Sequence, residues 1–196
     1  MHTKIRPYAL VILASTTAWT GANAASISLA PKLVTAAVGD SVFFDLNMDF
    51  SDNPTLGGGI DLVFNTSLLE FSSFARNPAL GDDVDGRRDP DVVPGTGLDG
   101  LAFFKFGGGI AGPARVGTFT FKALGAGRID VTLSADVGGT AGPFISATTN
   151  DPQNVTFTGA AIDISPSAVP LPGALPLMLS LGAGLAGFVR RRSTTV

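Results

Sequence analysis

Apolar and polar residues alternate one for one along much of the middle of the chain. Val42, Phe44, Leu46, Met48 and Phe50 alternate with Ser41, Phe43, Asp45, Asn47 and Asp49, the period of a strand with one buried face. The same alternation returns at Ile60 to Phe64, at Gly117 to Lys122, at Arg128 to Leu133, at Val155 to Phe157 and at Ala161 to Ile164. Ala102 to Phe106 is a further aromatic strand. Clusters of Gly, Pro, Asn and Asp separate these runs, as at Asp52-Asn53-Pro54, Gly107-Gly108-Gly109 and Gly125-Ala126-Gly127. No segment between the two ends keeps a 3.6-residue period for the length of a helix. The pattern predicts an all-β fold: eight or nine short strands, each with one apolar face, paired face to face as a β-sandwich.

The two ends read differently. Lys4 and Arg6, an apolar core from Tyr8 to Ala14, and the small-residue site Ala22-Asn23-Ala24 have the layout of a secretory signal. Cleavage after Ala24 would start the mature chain at Ala25, and residues 1–24 are therefore set apart from the fold. At the other end, Val169-Pro170-Leu171-Pro172 precedes an apolar run from Gly173 to Val189, closed by Arg190-Arg191-Arg192. Seventeen residues of helix span roughly 26 Å at ~1.5 Å per residue. That is slightly short of a ~30 Å hydrocarbon core, a gap that snorkelling arginines or local thinning closes. The arginines predict a cytoplasmic C-terminus, with all that precedes the run on the outer side.

This tail (residues 168–196) resembles the PEP-CTERM sorting signal of Gram-negative bacteria that make extracellular polysaccharide. The resemblance lies in the Pro-containing motif Val169 to Pro172, the apolar helix with Gly182, Gly184 and Gly187, and Arg190 to Arg192. It implies a sorting partner, the membrane cysteine protease-transferase exosortase, and delivery to the cell surface or an extracellular matrix. Leu171 stands where the eponymous Pro-Glu-Pro has its acidic residue. A plain single-pass anchor is the alternative reading of the same residues.

Setting the ends aside changes the composition. The only Trp (Trp19), the only Tyr (Tyr8) and the only His (His2) all precede Ala25, and the chain has no Cys. All sixteen acidic residues but only eight of the thirteen basic ones fall within residues 25–167, a formal net charge of −8. Such a balance disfavours nucleic acid and anionic surfaces as partners. With no disulfide available, the fold must rest on its apolar core. Thirteen of the 14 Phe lie in this body, mostly at inward strand positions, and Phe needs no hydrogen-bond partner when buried. Phe43 and Phe103 fall out of phase with the inward set and are expected to form an exposed interaction face.

Three segments of the body resemble cohesin domains. Val38-Gly39-Asp40-Ser41-Val42 opens an early strand as their "VGDxV" stretch does. Phe64-Asn65-Thr66-Ser67-Leu68-Leu69-Glu70-Phe71 is similar to their aromatic-Asp/Asn stretch that ends in Leu-Glu, with Phe64 in place of the usual Tyr. Arg115 to Lys122, followed by Gly127 and Ile129, looks like a later cohesin strand and its successor. The resemblance implies a nine-stranded jelly-roll sandwich that binds a dockerin-like protein partner through one sheet face. A long insertion after Phe74 departs from it.

Candidate chemistry is sparse. Without an imidazole or a thiol, the body has neither a Ser-His-Asp nor a Cys-His nucleophile, and no His/Cys zinc site. A paired-carboxylate glycosidase would need Glu70, the sole Glu, together with a second carboxylate that no pattern ties to it. No catalytic residue is expected. The insertion from Arg76 to Leu98 gathers Asp82, Asp83, Asp85, Asp89 and Asp91 around Gly86, with Arg87 and Arg88 among them. Clustered Asp in a Gly-turned loop suits Ca²⁺, with Asp83 and Asp85 as the candidate ligands. An EF-hand frame fails, since it would put Gly81 first and Val92 last. A solvated charge run, paired within itself, is the other reading of the loop. Taken together, the sequence reads as a non-enzymatic exported module for protein–protein contact in an envelope or exopolysaccharide matrix. A carbohydrate-binding module is the alternative, although the body lacks the Trp and Tyr that usually stack on sugars.

Overall fold

Strand β3 (Ser41–Asp49) carries the alternation to the letter: Val42, Phe44, Leu46 and Met48 are buried, while Ser41 and Phe43 face solvent. The computed structural model describes residues 25–80, 86–139 and 141–167. Strand β1 (Ser26–Ala30) and β2 (Leu33–Ala37) precede β3, and β4 (Thr55–Val63) and β5 (Leu69–Arg76) follow it. Two three-residue strands, β6 (Gly86–Arg88) and β7 (Asp91–Val93), lead to β8 (Gly97–Phe104), β9 (Ala114–Ala123) and β10 (Gly127–Ala135). The described chain closes with β11 (Ile145–Ser146), β12 (Thr156–Thr158) and β13 (Ala160–Ser165).

These strands form two sheets, one ordered β12-β1-β3-β9-β5 and the other β2-β13-β10-β4-β8-β6. In the larger sheet β11 also pairs with β4, and β7 with β8. The pairings are antiparallel except β1 with β12 and β2 with β13, which are parallel. The structure therefore confirms an all-β sandwich but holds thirteen strands among the described residues, more than the eight or nine expected. β6, β7 and β11 are among the additions, each too short to show a period of two, whereas β12 is the run expected at Val155 to Phe157. The insertion after Phe74 is thus not a plain loop, because β6 and β7 both lie against β8.

The apolar faces of the two sheets meet in one core running from Ala25 to Ile164. Phe residues fill its centre in edge-to-face and tilted contacts. Phe64 and Phe121 stand 5.2 Å apart at 76°, and Phe103 and Phe144 lie 5.8 Å apart. Such pairs add about 0.5–1.5 kcal/mol each beyond the area they bury, which suits a fold without a disulfide. Beside them β4 carries Gly57-Gly58-Gly59, where any side chain would collide. A Cβ on Gly58 would sit 2.7 Å from the Phe144 backbone and ring.

Two of the cohesin-like segments form the turns that set register. Gly39, at φ +96°, turns the chain from β2 into β3, and Asp40 closes the turn by accepting the Ala37 N–H at 2.8 Å. Asn65 accepts both the amide and the hydroxyl of Ser67, at 3.0 and 2.6 Å, and its carbonyl accepts the Leu69 N–H. That turn delivers Leu69 into the core at the start of β5.

Candidate interaction face

The two Phe residues expected to share an exposed face are not together. Phe43 is 55% exposed on the outer face of the smaller sheet, opposite Thr120 of β9. Phe103 is only 3% exposed and packs in the core. Gly100 is the reason: at φ +68° it makes a bulge in β8, and the register against β4 shifts between Ile60 and Leu62. Past such a bulge the inward phase moves by one residue. Leu98 faces in before it and Leu101 and Phe103 after it, which turns Phe104 outward. Phe104 is 40% and Phe106 69% exposed. Phe43 is thus exposed as expected, while on β8 it is Phe104, the neighbour of Phe103, that faces out.

The rings of Phe104 and Phe106 lie 5.3 Å apart at 55° beside a groove of about 410 Å³ on the outside of the larger sheet. Leu56, Gly57, Gly58, Ile145 and Arg88 of β6 are among its lining residues; Arg87, which also borders it, is the cross-strand partner of buried Phe103 and lines a second cleft with Arg76 and Val116. Arg88 is engaged: it pairs with Asp91 and donates through Nη1 to the Gly100 carbonyl at 3.1 Å. Arg76 pairs with Asp89 at 2.7 Å and tethers the same insertion to β5. Arg87 is exposed and has no ion pair among the described residues.

On the same sheet, β4, β8 and the segment after β10 bring Asp61, Asp99 and Asp136 together, with one carboxylate oxygen of each within 4.8 Å of the others. Asp136 is only 1% exposed, and its Oδ2 accepts the Ala141 N–H at 2.9 Å. Asp61 accepts the Gly100 N–H at 2.9 Å and so supports the bulge. Burial is the main force raising the Asp61 pKa above its ordinary value; the Gly100 amide opposes it, and the negative charges of Asp136 and Asp99 add to it. Three oxygens of this kind are the donor set that hard cations take. No motif announces the cluster, since its members come from three separated segments. Gly100 in an otherwise alternating run was the one signal that could have revealed the bulge.

Other expected site residues fall elsewhere. Asp83 and Asp85 lie outside the described residues, as do Ala22 and Ala24, the motif Val169, Pro170, Leu171 and Pro172, the run 173–189, and Arg190, Arg191 and Arg192. Ala25, the residue after the expected cleavage point, begins the described chain and receives the Thr156 N–H on its carbonyl at 2.8 Å. Glu70 stands on β5 opposite Lys122 and outside the carboxylate cluster. Among the described residues, no helix is long and apolar enough to cross a membrane.

Two sheets, antiparallel but for two pairings, packed face to face make the domain an all-β two-sheet sandwich. The solved structures it matches include cohesins. A type I cohesin–dockerin complex from Clostridium thermocellum aligns at TM-score 0.58 and 10% identity, covering 73% of this chain and all of that one. The seventh ScaB type I cohesin from Pseudobacteroides cellulosolvens aligns at TM-score 0.55 and 17% identity, over 76% of this chain and 96% of that one. A non-cellulosomal cohesin from the archaeon Archaeoglobus fulgidus aligns at 0.52 and 13%, over 72% and 91%. No family model and no curated protein matches the sequence. The body has a cohesin-like fold.

Proposed function

We propose that this chain is an exported, non-catalytic binding module that holds a protein partner on the outer face of its larger sheet. The observation that carries the reading is the groove beside Phe104 and Phe106, two exposed rings on a cohesin-like sandwich. Exposed apolar area of this kind is what a partner desolvates. One of the structural neighbours is a cohesin–dockerin complex, which supports a compact protein, dockerin-like in its manner of docking, as the partner. The signal-like start and the PEP-CTERM-like tail support export, membrane anchoring of a precursor through residues 173–189, and sorting by exosortase to an envelope or exopolysaccharide matrix.

A second reading has its own observation. Phe43 stands exposed on a polar sheet face, flanked by Thr118, Thr120 and the Asp45–Arg115 pair, a surface on which a sugar ring would find both stacking and hydrogen bonds. Affinity capture from envelope extract, run beside retention on polysaccharide gels, separates the two. Capture of a defined protein, abolished by Phe104→Asp and untouched by Phe43→Ser, supports the first. Retention on polysaccharide that Phe43→Ser removes would replace it with the second.

A further inference from the structure

We propose that the outer face of the larger sheet takes a protein segment carrying a Lys or Arg beside an apolar anchor. The anchor enters the groove at Phe104 and Phe106, and the cation meets the carboxylates of Asp61, Asp99 and Asp136. This rests on the reading of the face as protein-binding and adds the chemistry of its partner. The two halves of the site are contiguous. Ala141 lines the groove and also donates its N–H to Asp136 Oδ2 at 2.9 Å. Ala102, likewise in the groove lining, lies opposite Gly59 of β4, and Asp61 follows two residues along that strand. Residues two apart on a strand point to one face, and the step between them is roughly 7 Å at ~3.3 Å per residue. Two residues of strand or about one turn of helix in the partner therefore bridge anchor and cation. An aliphatic or aromatic side chain against the two rings leaves water without forfeiting hydrogen bonds.

Charge supplies the second half of the argument. One oxygen of each of the three acids lies within 4.8 Å of the others; Asp61 and Asp99 are half-buried and Asp136 is buried. Asp91 of β7 stands opposite Asp99 as a fourth acid. Among the described residues no ion pair joins Asp61, Asp99 or Asp136 to a cation. Arg88, at the groove, is already held by Asp91 and the Gly100 carbonyl. An ammonium or guanidinium brought by a partner relieves the repulsion among the acids, and more so once the interface shuts out water. Folding has already desolvated the acids in part, so the complex bears less of the cost of burying an ion pair. A free metal ion fits less well. Asp61 and Asp136 each spend an oxygen on a backbone amide, against the roughly six to eight oxygens that Ca²⁺ takes, and the apolar groove beside them would stay uncovered.

The test is a short random-peptide library displayed against the full chain in mild detergent. Enriched peptides should carry a Lys or Arg two to four positions from an aliphatic or aromatic residue. In fluorescence anisotropy, exchanging that cation for Ala should weaken binding to the wild type about tenfold, and the loss should shrink as sodium chloride is raised. Asp99→Asn should bind the parent peptide more weakly and lose markedly less on the same exchange, the signature of a direct pair. Phe106→Ser should weaken both peptides. The peptide exchange needs no altered protein, so it decides the matter even if Asp99→Asn melts early. Enrichment of acidic or uncharged peptides, or binding indifferent to the exchange, overturns this chemistry and leaves the protein-binding face standing. Calorimetry with calcium chloride alone is the control: saturable binding that Asp99→Asn abolishes and that excludes the peptide would give the acids to a metal and overturn the inference. A dimer in sedimentation that Asp99→Asn dissolves would make a second copy the occupant and also overturn it. No enrichment at all overturns both this inference and the function on which it rests.

Discussion

The ring of Phe104 lies directly over Gly86, its cross-strand partner on β6: a Cβ at position 86 would fall 1.9 Å from Cζ of that ring. On its other side Phe104 pairs with Gly57 of β4, where a Cβ would come within 2.6 Å of the Phe104 Cα. Gly86 thus leaves room for the exposed ring over β6, and Gly57 lets β4 approach the backbone of β8 closely beside it.

Gly86→Ala tests that arrangement. The added methyl must push the ring away or lift β6 off β8, an overpacking that costs about 1–3 kcal/mol. Urea unfolding should show a loss of that order, and the variant should bind the groove's partner more weakly than the wild type. Full stability in Gly86→Ala would mean that the ring does not rest on Gly86.

The two faces of β3 give a second test. Phe44 is wholly buried and meets Phe121 edge-on at 6.3 Å, so Phe44→Ala should cost about 3–5 kcal/mol through the cavity it leaves. Asp45, one residue on, is partly exposed, and its ion pair with Arg115 spans 3.2 Å at the surface. Asp45→Ala should cost at most ~1 kcal/mol. Equal losses at the two positions in chemical denaturation would place the core on the wrong side of β3.

These two residues also show how much of the fold was legible in the sequence. Where a strand runs without a bulge, as in β3, period-two alternation assigns each side chain to its face, and Val42 to Met48 read correctly. In β8 one glycine defeats the same logic. Gly100 takes a left-handed conformation, and the parity beyond it inverts, so Phe103 goes in and Phe104 comes out. The Asp61–Asp99–Asp136 cluster was not readable at all, because only sheet register joins those three segments. The turn at Asn65 was readable, since its Asx geometry is written in four adjacent residues.

Asp61 makes the stability depend on pH in a definite sense. Its folded-state pKa lies above the ordinary 3.8, chiefly because of burial, with the Asp136 and Asp99 charges adding to the rise. A raised pKa means that the folded state holds the proton more tightly. The stabilisation is complete below 3.8 and is lost as pH rises through the raised value. Asp61→Asn keeps an oxygen to accept the Gly100 N–H while removing the charge. Melting temperatures should therefore be higher for the variant at neutral pH, and the difference should close as pH falls below the ordinary carboxylate range. A variant less stable than wild type at neutral pH would show that the carboxylate is favourably compensated there.

The last prediction concerns the fate of the tail, which lies outside the described residues. Pro170 and Pro172 cannot continue a regular helix, and each biases the residue before it toward an extended conformation. On the proposed sorting, the segment Val169 to Pro172 is thus presented extended just outside the membrane, where a protease-transferase can accept it. On the same proposal the apolar run and Arg190 to Arg192 would fix the depth of that segment, because arginines resist translocation. A reporter fused after Val196 should then be cytoplasmic, and one fused near Ser167 periplasmic; the reverse pattern would sink the assignment of the tail. Peptide mapping of the native surface-exposed protein should find the chain ending near Pro172, with the Ser193 to Val196 peptide missing. If that peptide persists on most surface molecules, the tail is an anchor only. Leu171→Glu, which restores an acidic residue between the two prolines, then becomes the informative variant. Processing that appears only in Leu171→Glu would trace the failure to that single side chain, and processing absent from both would remove exosortase as a partner.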